Sequence, residues 1–227
     1  MWILARSHKA FIAFALWGGG LLLSCGPRTP ARHDTPRPKA EPQLILTEGT
    51  HLLYLIKVNE KVRYNLEVEF TMVVPEHRFN FFMNNMDFTF GSVFVAHDAL
   101  KNADSLLWQF PDGHSYLKGK TALRLSTAQY ENIVTRRTCQ VALDDNPLQE
   151  FYLIENEDCS FELDSIHYTT SCMVLQNKAE NIRLHILRNV NYPFVVRLEQ
   201  KDGPTLQLLQ WKNPSPPAPS SGGESLW

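Results

Sequence analysis

The chain lacks a surplus of positive charge. Its 22 lysines and arginines stand against 24 aspartates and glutamates. No basic stripe or basic–aromatic platform occurs, so nothing favours a nucleic-acid partner. It also lacks an apolar run long enough for a membrane-spanning helix. The stretch over residues 10–23 falls short of the ~20 apolar residues that cross a hydrocarbon core about 30 Å thick. There is no His-Glu-x-x-His helix and no Gly-x-Ser-x-Gly elbow, so neither motif marks a catalytic centre. Four cysteines are present, but no Cys-x-x-Cys pair, which argues against a zinc site built from cysteines and a histidine. Asp144-Asp145 and the acidic run at 155–158 lack the alternating acid–glycine loop that calcium requires, and they read as solvated turns. Pro111-Asp112-Gly113 is turn chemistry, which accounts for Asp112 standing beside His114 without an acid–base role. No catalytic residue, metal or cofactor is expected.

What is there begins with an address. Arg6 and Lys9 precede the apolar stretch over residues 10–23, with no acid before it. That is the n-region and h-region of a cleaved signal peptide. The following Leu22-Leu23-Ser24-Cys25 resembles the lipobox of bacterial lipoproteins. The resemblance implies that Cys25 is diacylated on sulfur and becomes the first residue of the mature chain. Two or more acyl chains give the stable anchoring that one does not. Gly26 follows where an aspartate would retain a Gram-negative lipoprotein at the inner membrane. The resemblance therefore implies an outer-membrane location, lipid-anchored and facing the periplasm, with the membrane itself as one partner.

Removing Arg6 and Lys9 from the 22 basic residues leaves 20 against 24 acidic ones, so the mature chain is mildly acidic. About 200 residues remain, which suits one domain. Residues 25–42 are rich in proline and charge and read as an extended tether. Residues 212–227, with Pro, Ser and Gly clustered, read as a disordered tail. The folded domain is expected over 43–211.

Its middle alternates with period two, the mark of half-buried strands. Val62, Tyr64, Leu66, Val68, Phe70 and Met72 are separated by Arg63, Asn65, Glu67, Glu69 and Thr71. Leu52, Tyr54, Ile56 and Val58 precede them. A loop at Asn59-Glu60-Lys61 sets Val58 against Val62 and Ile56 against Tyr64, with both apolar sets on one face. A second hairpin is predicted about Ser165-Ile166, pairing Leu163 with Tyr168, Phe161 with Thr170 and Cys159 with Cys172. A third crosses Asp202-Gly203, joining residues 193–200 to 205–211. Two short helices are expected. Asp98 would cap one that buries Leu100, Ala103, Leu106 and Leu107. Ser126 and Gln129 form a capping box on another, with Tyr130, Ile133 and Val134 inward. Both are too short to stand alone and must pack on a sheet. The fold class is mainly β (α+β): a curved antiparallel sheet or sandwich with two short helices.

The order of the segments VNEKVRYNLEVEF, GSVFVAHDALKNADSLLWQF, TALRLSTAQYENIV, CQVALDDNPLQEFYLIENEDCSFELDSI and NYPFVVRLEQ is similar to that of a group of uncharacterised lipoproteins from Bacteroidota. The likeness covers most of the folded domain. It implies the β-rich fold and envelope location, and it carries no activity or catalytic residues.

The oxidising periplasm makes Cys159 and Cys172 a candidate disulfide, since the expected register sets them opposite one another. Cys139 is then a lone thiol at a strand start. The stretch over residues 78–95 is the most aromatic. Phe79, Phe81, Phe82, Met83, Met86, Phe88 and Phe90 are either two core strands about an Asn84-Asn85 turn or the face of a groove for an apolar ligand. Three functions follow. The first is a non-enzymatic lipoprotein that binds or scaffolds an envelope protein, and should show an exposed apolar patch. The second is a periplasmic carrier of an apolar ligand, which should show an enclosed apolar cavity. The third is a hydrolase with an unrecognised site, which should show a pocket of clustered titratable groups.

Overall fold

The computed structural model describes residues 43–214. The expected signal peptide, Cys25 and the tether lie outside them, as does the tail from residue 215 onward. Thirteen strands and two helices follow one another: β1 (His51–Lys57), β2 (Arg63–Met72), β3 (His77–Met83), β4 (Phe90–Val95), α1 (His97–Asn102), β5 (Ser105–Leu107), β6 (Gly113–Leu117), β7 (Lys120–Ala122), α2 (Thr127–Arg136), β8 (Thr138–Leu143), β9 (Gln149–Leu163), β10 (Ile166–Asn177), β11 (Ile182–Leu187), β12 (Val195–Gln200) and β13 (Thr205–Lys212). Mainly β with two short helices is therefore the fold class. Among the described residues, no helix is long and apolar enough to cross a membrane.

The strands form one sheet in the order β6-β4-β3-β2-β1-β13-β12-β11-β10-β9-β8-β5-β7. The β1–β2 hairpin has the expected register, with Ile56 opposite Tyr64 and Leu52 opposite Val68. Asn59 Oδ1 closes its loop by accepting from the backbone N–H groups of Lys61 and Val62, both at 2.9 Å. The β12–β13 hairpin also forms across Asp202-Gly203, with Leu198 opposite Leu206. Pairing is antiparallel except at β4–β6, β5–β7, β5–β8 and β9–β13. The last of these bends the sheet back on itself. β13 leaves β12 and pairs Gln210 and Trp211 with Glu162 and Leu163 of β9. Strands β9 to β13 thus close a five-membered ring, and a closed ring removes the edges that its members would otherwise expose.

Trp211 sits at this closure, fully buried. Its Nε1–H donates to Ile45 O at 3.1 Å and to Asn213 Oδ1 at 3.2 Å. Asn213 in turn is held by Asp164, 2.8 Å from both its backbone and its side-chain nitrogen. The fold therefore continues past the expected boundary at residue 211. A run of aromatic contacts joins the ring to the other half of the sheet. Trp211 meets Phe194 edge-on at 5.4 Å, Phe194 meets Phe70 at 6.0 Å, and Phe70 meets Phe79 at 5.3 Å. Phe110 then lies 6.1 Å from Phe79 and 5.2 Å from Phe81. Each such pair contributes about 0.5–1.5 kcal/mol beyond area burial.

Three expectations are corrected. The second hairpin turns at Asp164-Ser165, not Ser165-Ile166, so Leu163 faces Ile166, Phe161 faces Tyr168 and Cys159 faces Thr170. Both turn residues have positive φ, 50° and 66°, the backbone of a type I′ turn. Ile166, whose branched side chain resists that region, is spared it. The helix at Asp98 ends at Asn102, Asp98 does not cap it, and Leu106 and Leu107 belong to β5. Pairing with β7 and β8 overrides the local helical spacing. In α2 the capping box forms and Tyr130 and Ile133 are buried, but Val134 faces solvent.

Candidate functional site

Two regions carry chemistry that the fold alone does not require. The first is the aromatic stretch, which alternation divides between two faces. Phe79, Phe81 and Met83 of β3 point into the core and are buried. Phe82, Met86, Phe88 and Phe90 are exposed, Met86 at 93% and Phe90 at 63%. The seven residues therefore do not form one ligand-binding face. The strands do not meet at Asn84-Asn85 either. A longer loop runs from Asn84 to Thr89, pinned by Asn84 Oδ1 accepting from Asn65 N at 2.6 Å and by Asn85 bonding Thr89.

The outward residues line up across β3, β4 and β6. Phe82 stands opposite Phe90, and Arg78 opposite Phe94, which stands opposite Tyr116. Phe82 stacks on Phe88 at 6.5 Å, and Phe94 stacks on Tyr116 at 4.7 Å. The Arg78 guanidinium covers the Phe94 ring at 5.2 Å, and Lys118 approaches Tyr116 at 5.5 Å. Between the two aromatic groups runs a polar row, Asn80, Ser92 and His114, with Ser92 Oγ 2.7 Å from His114 Nδ1. β6 ends the sheet. It approaches β4 closely enough that a Cβ on Gly91 would lie 1.7 Å from Gly113 O. Inside the sheet, Ile56, Tyr64, Met83, Trp108 and Phe110 line an open cleft of about 290 Å³ near the β1–β2 loop.

The second region lies on the ring of strands. Glu157 and Cys159 alternate along β9 on one face. Cys172 of β10 faces Glu157, and Leu187 of β11 faces Cys172. His185 lies two residues before Leu187 and so shares that face. Its Nδ1 hydrogen-bonds Glu157 Oε1, and the Cys159 thiol donates to the same oxygen at 3.8 Å. His185 Nε2 lies 3.5 Å from Glu199 Oε2, and Glu199 is paired with Arg197. His185 is buried, and its Nε2 has no hydrogen-bond partner. A shallow cleft of about 110 Å³, lined by Glu157, Cys159, Arg197 and Gln207 among others, opens beside Cys159.

The expected disulfide is not present: Cys139, Cys159 and Cys172 are all free thiols. The reason is register. Cys159 opposes Thr170 and Cys172 opposes Glu157, which makes the cysteines diagonal neighbours. Diagonal Cα atoms sit ~7–8 Å apart, beyond the reach of an unstrained disulfide. Contact with the Cys172 thiol pulls the Cys159 thiol down, helped by His185 and opposed by burial. The same contact, together with burial, drives Cys172 far up. Burial disfavours the charged form of His185, but Cys159, Glu157 and Glu199 together hold it above its ordinary value. Cys139 lies at the start of β8 as expected; it is buried, and burial pushes its thiol up to about 12.

The sequence alone suggests Cys159 and Cys172 as a pair and Glu157 as part of a solvated acidic turn, where the structure has the middle of β9; it gives no sign of His185 or Glu199. The Glu157-x-Cys159 spacing was the available signal, because it sets both side chains on one strand face. The approach of His185 and Glu199 depends on pairing among β10, β11 and β12, which no local spacing encodes. Comparison with known protein families, curated proteins and solved structures finds no match.

Proposed function

We propose that this chain is a lipid-anchored envelope protein with a non-enzymatic binding role, whose β domain docks a partner protein on the aromatic outer face of β3, β4 and β6. The observation that carries this reading is the outward set of paired rings, the exposed Phe82 with Phe88 and the half-buried Phe94 with the exposed Tyr116, flanked by Arg78 and Lys118. Aromatic rings beside arginine are the composition of interface hot spots, which dominate binding energy when a partner desolvates them. The terminal strand β6 adds backbone donors and acceptors on its open side, a second mode of protein recognition. Arg78 and Lys118 select a partner whose contact surface is acidic at its rim.

Anchoring through Cys25 supports the same reading, because a tether holds such a face near the membrane where its partner resides. The test is a photo-crosslinking amino acid placed at Phe90 in the full chain in its own cells. The expected result is a discrete crosslinked protein band from position 90 that is missing from a control at the exposed Lys178, in the turn between β10 and β11. Crosslinks to lipid alone, or none, refute the docking reading. Labelling with a fatty-acid probe checks the anchor separately: wild type takes label and Cys25→Ala does not.

A second reading, a small apolar ligand, rests on the apolar wall of Ile56, Tyr64, Met83, Trp108 and Phe110 in a cleft that is open and also lined by Asn85, Thr89 and Gln109, not the enclosed cavity a carrier would show. Native mass spectrometry of protein extracted from membranes tests it. A retained small-molecule mass lost in Met83→Glu supports this reading, and a bare chain refutes it.

A further inference from the structure

We propose that Glu157, Cys159 and His185 bind a divalent transition-metal ion of the zinc type. One carboxylate oxygen, one sulfur and one ring nitrogen converge here, all within 4.8 Å of one another. A zinc ion binds such donors at about 2.0–2.3 Å. The Cys159 Sγ to Glu157 Oε1 distance of 3.8 Å is close to the ~3.5 Å that tetrahedral geometry sets between a sulfur and an oxygen on one zinc ion. The donor set also chooses the ion. Sulfur and imidazole disfavour magnesium and calcium, which take oxygen.

A second observation points to the same ligand. His185 is buried, its Nε2 lacks a hydrogen-bond partner, and Glu199 Oε2 lies 3.5 Å from it. Metal-bound histidines direct the other ring nitrogen at a carboxylate, which fixes the tautomer and the ring plane. Here Nδ1 faces Glu157, and Nε2 faces Glu199, itself steadied by Arg197. One wall of the site is open, since Glu157 and Cys159 are only partly buried and border the cleft beside Gln207. An ion bound by three protein donors therefore keeps one position for water or a small ligand, the arrangement of a non-structural zinc site.

The test uses the full mature chain, chelator-treated and kept reduced, titrated with Co²⁺ and followed by absorbance. The expected result is one Co²⁺ per chain with a thiolate-to-cobalt charge-transfer band, displaced by Zn²⁺. Cys159→Ser should abolish the band. Cys139→Ser and Cys172→Ser should keep it. Glu199→Gln, which leaves all three donors in place, should weaken binding about 10–100-fold. Circular dichroism establishes that each variant folds, and the half-exposed Glu157→Gln serves as a second donor variant, also expected to bind more weakly. No binding by the wild type overturns the proposal. So does a band that survives Cys159→Ser and disappears with Cys139→Ser or Cys172→Ser.

Discussion

Acid should unfold this domain partly through one histidine. His77 begins β3, is buried, and meets the Phe70 ring edge-on at 5.7 Å. Burial, together with the buried Arg124 cation, pushes it from 6.5 down to about 3. The unfolded chain therefore takes up a proton at this residue through a pH window in which the native chain does not. In that window the unfolded state binds more protons, so stability falls as pH falls. The loss starts near 6.5, deepens by about 1.4 kcal/mol per pH unit, and levels off near 3. Between pH 7 and pH 5 it amounts to about 2 kcal/mol, which lowers Tm by roughly 4–8 °C in a domain of this size. Removing the titrating group isolates the effect. Urea unfolding of wild type and His77→Leu over pH 4.5–7.5 should give a shallower pH slope for the variant. The gap between the two stabilities should close by about 2 kcal/mol on going to pH 5. Parallel curves would refute the reasoning and mean that His77 is protonated in the native protein or exposed when it titrates.

Three further outcomes follow from local geometry. Ser126→Ala removes the acceptor for Gln129 N, 3.2 Å away, and should destabilise the fold by about 1 kcal/mol in chemical denaturation. Gly91→Ala drives a Cβ into Gly113 O and should separate β6 from β4, read as fast hydrogen exchange over residues 113–117 while the β1–β2 hairpin stays protected. Iodoacetamide on the folded chain at neutral pH should modify Cys159 ahead of Cys139 and Cys172, because it is partly exposed and its thiol is pulled down while the others are buried and pushed up. Peptide mapping reads the order, and equal labelling of all three would contradict the buried positions of Cys139 and Cys172.

Where period-two alternation met a short loop, the sequence was sufficient. Val62 to Met72 alternate without exception, and the β1–β2 register followed. The capping box at Ser126 was equally legible because it is written in four consecutive residues. Two kinds of information were not local. The β9–β10 turn was displaced by one residue because Asp164 and Ser165 both adopt positive φ, a choice that propensity for Ser or Asp only permits. That single displacement moved Cys172 from opposite Cys159 to opposite Glu157. Leu106 and Leu107 fit a helical face by spacing, yet parallel pairing with distant strands claimed them. Alternation alone sends Phe81 inward and Phe82 outward, a signal that grouping all seven residues of the aromatic stretch on one face overlooked. The thiol–imidazole–carboxylate cluster was not legible, because it is assembled by four strands whose order in the ring is a property of the whole chain.

β13 pairs with β1, β12 and β9, strands drawn from both ends and the middle of the described chain. Its hairpin with β12 is local, but its pairing with β1 and β9 is distant in sequence, the kind of pairing that slows folding. Until residues 205–212 insert, β1, β9 and β12 all present unpaired backbone at once, and the chain is at its most adhesive toward copies of itself.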